Sequence, residues 1–332
     1  MNRRGFRIIL VLSLAAVAVG LCISLTSSHK EEAVLPDGRV QLRLNEALTN
    51  EISDTSALTG LDTKIQSYMR QWGLHGASLA IMRNDSLVYA KGYGWADEEK
   101  QVKMQPSNIL RVASVSKLLT AAGIMLLQDQ GKLNIKDTVF GPRGILTDTT
   151  YASVMKDPNY KKITIEDLLR HKGGFTSYGG DPMFSTRTIM QTNHLDTPPD
   201  NTELMRIMLR RRLRFVPGTS QYYSNFGYLL LSKVIEKVSG QPYEEFMQKN
   251  VLEPAGCYDM HIAENYYEDK RKNEVRYYNG ADTCLVDEFN NSGNMVERCY
   301  GGSDIHSLSG AGAWVCSTPE LARFVASIDG RT

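Results

Sequence analysis

The chain has 332 residues, of which 42% are hydrophobic and 23% charged, with a net charge of +1. This content suffices for a sizeable core in one large domain or two interleaved ones, and the balanced charge supplies no global field for nucleic acid or an anionic membrane surface. A small molecule or peptide is the ligand class that remains, and no Cys/His spacing asks for a metal or other cofactor.

Arg3 and Arg4 precede an apolar run from Phe6 to Leu25, and the polar stretch from Thr26 to Glu32 follows. A charged start, an apolar middle and a polar exit form the pattern of an export signal. The run of about 20 residues is also long enough to span a bilayer as a helix. A cleaved signal over residues 1–30 and a retained anchor over 6–25 therefore both fit. In either case the protein is expected outside the cytoplasm, meeting the membrane only through this segment. Residues 31–60 are polar and aperiodic and read as a linker, which leaves 61–332 for the folded domain.

Within that domain, Leu61, Ile65, Tyr68 and Met69 give the spacing of an amphipathic helix that runs to Trp72. Gly76 to Met82 and Ser86 to Tyr93 read as two strands joined at Asn84-Asp85, a β-hairpin. Ser114 to Gln130 is apolar all round, which predicts a helix buried on every side and closed by Gly131. A short helix is expected from Thr164, its cap, to His171, with Glu166 and Asp167 in the first turn and Gly173-Gly174 after it. Phe226 to Val238, ended by Gly240, and Pro319 to Ile328 complete the predicted helices. The order suggests an α+β fold with helices segregated from an antiparallel sheet. Cys257, Cys284, Cys299 and Cys316 all fall in the last third. After export, disulfides persist, and Cys284 with Cys299, which bracket a polar loop, are expected to pair; buried thiols are the alternative.

The chemistry starts from a cheap motif. Ser-x-x-Lys arises roughly once by chance in a chain of this length, and it occurs at Ser27–Lys30, Ser114–Lys117 and Ser153–Lys156. Ser27 sits at the exit of the apolar segment. Ser153 sits in a polar stretch that Asp157-Pro158 interrupts. Ser114 alone opens a long apolar helix. There Lys117 lies one turn on, and the free N–H groups of the helix start favour a developing oxyanion. An apolar setting disfavours the charged lysine, so Lys117 can take the Ser114 proton or hold a partner that does. A capping serine with a snorkelling lysine fits the same letters. Tyr-x-Asn likewise occurs twice, at Tyr223–Asn225 and Tyr277–Asn279. The second runs into Gly280 and reads as a turn. The first lies on a loop that feeds a helix, where a phenol can move a proton and an amide can hold a substrate. A core tyrosine beside a helix-capping asparagine is the bland alternative.

Arg111 through Lys117 resembles the nucleophile segment of the serine β-lactamase and penicillin-binding-protein superfamily, most closely its class C branch, which includes carboxypeptidases and esterases. In that branch the second motif is Tyr-x-Asn, matched by Tyr223 and Asn225. Gly131 to Asp137, Ile163 to Phe175, Phe215 to Tyr228 and Gly310 to Phe324 are similar to further family segments, so the resemblance spans roughly residues 62 to 328. It implies a β-lactamase/transpeptidase-like fold and hydrolysis of β-lactams, D-alanyl peptides or esters. Ser114 would be acylated, Lys117 would be its proton partner, Tyr223 the general acid/base and Asn225 a substrate contact. The family's third motif, Lys/His-Thr-Gly, is absent; His171-Lys172-Gly173 is the nearest wording, but it precedes the tyrosine motif. The resemblance therefore implies a sheet lacking its last strands, with an unpaired hairpin edge, and a chain that continues past Thr332. The alternative is a relative that binds ligand without turnover.

Overall fold

The computed structural model describes residues 48–53, 58–175, 180–280 and 284–329. The segment read as signal or anchor lies outside them. Among the described residues no helix is long and apolar enough to cross a membrane. Within the stretch read as linker, Asn50–Ser53 form a tight turn seated on the sheet. Its Ser53 hydroxyl donates to the Ala90 carbonyl at 2.6 Å.

Helix α1 (Thr59–Trp72) leads into strands β1 (Gly76–Arg83) and β2 (Ser86–Asp97). They pair antiparallel from Gly76 opposite Gly94 to Arg83 opposite Ser86. Asn84 and Asp85 both take positive φ, 47° and 58°, the geometry that a two-residue turn needs to match the strand twist. Strand β3 (Val102–Lys103) adds to β2, so the predicted hairpin becomes a three-stranded sheet with β1 at its edge. The expected unpaired edge of β1 is thus present among the described residues. A second antiparallel sheet joins β4 (Leu110–Arg111), β5 (His261–Ile262) and β6 (Trp314–Cys316), with β6 in the middle.

The helices supply most of the core. Helix α2 (Ser116–Asp129) and helix α4 (Asn225–Ser239) pack together, with the short α3 (Ile165–Leu169) against α4 and α5 (Thr318–Ser327) against β1. Leu119, Ile124 and Leu127 of α2 and Leu229, Leu230, Leu231, Val234 and Ile235 of α4 are fully buried. Close approach requires Gly123: a Cβ there would stand 2.6 Å from Met247 Sδ. Gly131 and Gly240 follow the two helices with φ of 66° and 72°, which ends each helix where the sequence predicts. The Thr164 cap is also observed, as a reciprocal box with Asp167.

Two expectations are corrected. Helix α2 is not buried on every side, because Leu118 and Met125 are 40% and 38% exposed. Its apolar outer face lines a groove with Val251, Pro254 and Ile328; an all-round apolar sequence states what a helix can bury, not what packs there. Cys284 and Cys299 are both thiols and do not bridge. Cys299 is held instead by the distant Tyr277–Asn279 segment, its N–H donating to Asn279 Oδ1 at 3.1 Å and its sulfur lying 3.5 Å from the Tyr277 carbonyl. Burial pushes its thiol up to about 11.

Candidate active site

Strand β4 delivers the chain to the nucleophile turn. Its Arg111 donates to the carbonyls of Cys299 and Glu264 at 2.7 and 2.8 Å and stacks 4.4 Å over the Tyr277 ring. The Tyr277 hydroxyl accepts the Arg111 N–H and donates to the buried Glu274 carboxylate, both at 2.8 Å. The second Tyr-x-Asn copy is therefore a brace for the strand before Ser114. Val112 then donates to the Trp314 carbonyl at 3.0 Å, and Ala113 turns into the left-handed region with φ of 46°. A non-glycine residue held there stores roughly 1–3 kcal/mol of strain, and it kinks the chain just before the serine. Ser114 consequently sits in a short 3-10 turn, Ala113–Val115, and the α-helix begins two residues later than the sequence suggests, at Ser116. The first N–H groups of such a turn have no intrahelical acceptor.

Ser114 caps nothing. Its Oγ shares a hydrogen bond of 2.7 Å with Tyr223 Oη and receives a longer contact, 3.4 Å, from Lys117 Nζ. Lys117, only 7% exposed, donates further to Asn225 Oδ1 at 2.7 Å and to the Ala311 carbonyl at 2.5 Å. Its ammonium also lies 4.7 Å from the Tyr223 ring centre and 5.5 Å from that of Tyr228. All four sequence-predicted residues thus meet in one place. The helix-capping alternative is also resolved: Ser224 is the cap of α4, its Oγ accepting the Gly227 N–H at 3.1 Å, which leaves the Asn225 amide for Lys117. The rival tetrad does not converge, since Ser153 Oγ bonds its own turn at the Thr150 carbonyl; Ser27 lies outside the described residues.

Electrostatics favour proton transfer here. Burial depresses the Lys117 pKa below its ordinary 10.5, and the neighbouring Tyr223 phenol and the more distant Asp181 carboxylate only partly oppose this. An amine that gives up its proton more readily than usual is a usable base. Tyr223 is 50% exposed, and its hydroxyl bonds Ser114 at that surface. A serine, a phenol and a depressed amine in contact can carry out nucleophilic attack with proton shuttling.

Sequence reasoning missed several supporting groups. Asp181 accepts the Asn225 Nδ2–H at 2.7 Å and so fixes which end of the amide faces Lys117. The Ala311 carbonyl is aimed at Lys117 by a chain reversal at Ser309, where φ is 44° and ψ is −125°. His171, noted only as part of a misplaced third motif, lies with its ring 4.5 Å from that of Tyr223. None has a local signature; Asp181 and Ala311 are 44 and 194 positions from their partners. Volume would not have found the site either. A cavity of about 720 Å³ lined by Arg70, His75, Trp95 and Met104 contains none of these groups.

Residues 61–332 match the family model described as Beta-lactamase. The chain belongs to the beta-lactamase family. Over 193 residues it is 30% identical to the putative penicillin-binding protein PbpX of Bacillus subtilis (strain 168), covering 58% of this chain and 42% of that protein. It is 26% identical to the octameric penicillin-binding protein homologue from Pyrococcus abyssi, with a TM-score of 0.56, covering 81% of this chain and 55% of the other. The D-amino acid amidase from Ochrobactrum anthropi SV3 has the same fold, at 22% identity and a TM-score of 0.63, with 83% of this chain and 72% of that one covered. The family chain described here spans less than half the length of its curated relative. Its α+β, β-lactamase/transpeptidase-like architecture is the one predicted.

Proposed function

We propose that this protein is an exported serine hydrolase that works through an acyl-enzyme on Ser114. The observation that carries this reading is the 2.7 Å hydrogen bond between Ser114 Oγ and Tyr223 Oη, with Lys117 Nζ 3.4 Å from the same oxygen. Ser114 Oγ attacks a carbonyl carbon while its proton passes to the Tyr223–Lys117 pair. The carbonyl π-electrons move to oxygen, and the Ser114 N–H, at the start of its turn, is the donor this reading assigns to that oxyanion. As the oxyanion collapses, the C–N or C–O bond breaks and the leaving group takes the proton from the same pair. Water, deprotonated by the pair, then releases the acid and returns the proton to Ser114. Asn225, fixed by Asp181, orients Lys117.

β-Lactams, D-alanyl peptides and simple esters all supply the required carbonyl, and each is compatible with the half-exposed Tyr223. A fluorescent β-lactam and an activated ester test the reading by intact mass. One adduct is expected on the wild type and none on Ser114→Ala. A label that persists in the alanine variant removes Ser114 from the mechanism. Ligand-dependent thermal stabilisation with no adduct and no hydrolysis would instead assign the chain to ligand-binding relatives without turnover.

A further inference from the structure

The turn that ends α3 grips the chain on both sides of Tyr223. The His171 carbonyl accepts the Tyr222 N–H at 2.8 Å, and His171 Nδ1 accepts the Ser224 N–H at 3.3 Å. Between these two anchors the Tyr223 ring rests on the imidazole, 4.5 Å between centres, and the Tyr228 ring lies 5.2 Å from it on the other helix. The same turn holds the preceding loop: Gly218 N–H donates to the Lys172 carbonyl at 3.0 Å and Arg214 N–H to the Gly174 carbonyl at 2.7 Å. His171 itself has φ of 57°, a conformation that histidine and asparagine adopt more readily than most side chains.

We propose that His171 is a positioning residue for Tyr223: its neutral ring, unprotonated at Nδ1, fixes the loop so that the phenol meets Ser114. This rests on the acyl-enzyme reading above. The Ser224 N–H can donate only to a bare nitrogen, so the ring proton belongs on Nε2. Protonating Nδ1 would set a donor against a donor and release one of the two anchors.

The surroundings keep the ring neutral. Lys117 faces it from α2, Tyr223 from its loop and Tyr228 from α4, while Arg170 and Lys172 flank it in its own turn. Burial, and after it the Lys117 charge, hold its pKa below the ordinary 6.5. A histidine depressed in the fold contributes stability that is complete above pH 6.5 and is lost as pH falls from there to the folded-state pKa. Activity should fall through that same acid limb.

The test compares kcat, KM and the pH profile of ester hydrolysis in the wild type, His171→Ala and His171→Asn. Asparagine tolerates the left-handed backbone, offers an acceptor and does not titrate. His171→Ala should lose about 10²-fold in kcat with KM changed less than about twofold, the scale of a misplaced catalytic group. His171→Asn should recover at least about tenfold of that loss and lack the additional fall below pH 6.5 that His171 adds to the Lys117 limb. In parallel, the ¹⁵N shift of the Ser224 amide should titrate with the His171 ring in both the wild type and Ser114→Ala. A wild-type kcat in His171→Ala, an unchanged fall below pH 6.5 in His171→Asn, or a Ser224 amide indifferent to the ring would each overturn the proposal. If the wild type forms no adduct at all, the hydrolase reading fails by itself. The amide titration then still decides whether His171 grips the loop.

Discussion

Among the described residues, two clusters that each bring a lysine ammonium near tyrosine hydroxyls invite comparison, and of these two one is built for chemistry. On the outer sheet, Lys91 Nζ lies 3.0 Å from Asp62 Oδ2, and Tyr89 and Tyr93 both donate to Asp62 Oδ1 at 2.8 Å. Burial opposes ionisation of Asp62, but the hydrogen bonds from Lys91, Tyr89 and Tyr93 outweigh it and hold the carboxyl below its ordinary range. Burial, together with the acceptors around it, raises both tyrosines, so neither gives up a proton readily. At the Ser114 site the lysine is held by neutral acceptors, Asn225 Oδ1 and the Ala311 carbonyl. A carboxylate in contact locks a lysine charged; neutral partners in a buried place leave the proton mobile. The first arrangement serves stability and the second serves reactivity.

The comparison can be broken most decisively at the site. Tyr223→Phe keeps the ring against His171 and removes only the hydroxyl, and it should lower kcat about 10²–10⁴-fold, the usual worth of a general acid/base. Lys117→Ala should fall in the same range, and the double variant should lose much less than the product of the two, as expected for groups acting as a unit. Equal activity of that double variant and the wild type would end the enzymatic reading. The rate should also rise with pH between 6.5 and 10.5, as the depressed Lys117 loses its proton, and this part of the rise should vanish in Lys117→Ala.

The sheet cluster should answer the opposite way. Asp62→Ala should cost about 2 kcal/mol by urea unfolding, the scale of hydrogen bonds to a charged group, while acylation of Ser114 stays within about twofold of wild type. Because the Asp62 pKa is lowered in the fold, its contribution is complete above the unfolded value of about 3.9 and fades as pH falls through the folded one. An acylation loss as large as that of Tyr223→Phe would erase the distinction between the clusters. The smallest effect is local: Ser224→Ala removes the α4 cap and should lower stability by about 1 kcal/mol, read from the denaturant midpoint at unchanged slope.

Much of this was legible from residues close together in the chain. The Asn84-Asp85 turn, the Thr164 cap and the glycines after α2 and α4 are set by hydrogen bonds and backbone angles within a few positions. Ser114 and Lys117 come together for the same reason, although a kink at Ala113 puts the serine before the helix rather than in it. The outer face of α2 was misread because apolarity is a property of the helix alone, whereas burial needs a neighbour. The pairing of Cys284 with Cys299 was misread because closeness in sequence does not align two thiols.

What the sequence determined by itself is therefore the set of helices, the hairpin and their ends, together with a short inventory of reactive side chains, since each depends on local periodicity and capping. Tertiary structure alone decided which of the repeated words mattered. It set Tyr223 on Ser114 across 109 positions and the Ala311 carbonyl on Lys117 across 194. It gave the capping role to Ser224 and used Tyr277 as a brace. Those choices rest on how the α2 and α4 faces pack and on which charges that packing leaves without a carboxylate, and no stretch of a dozen residues carries that information.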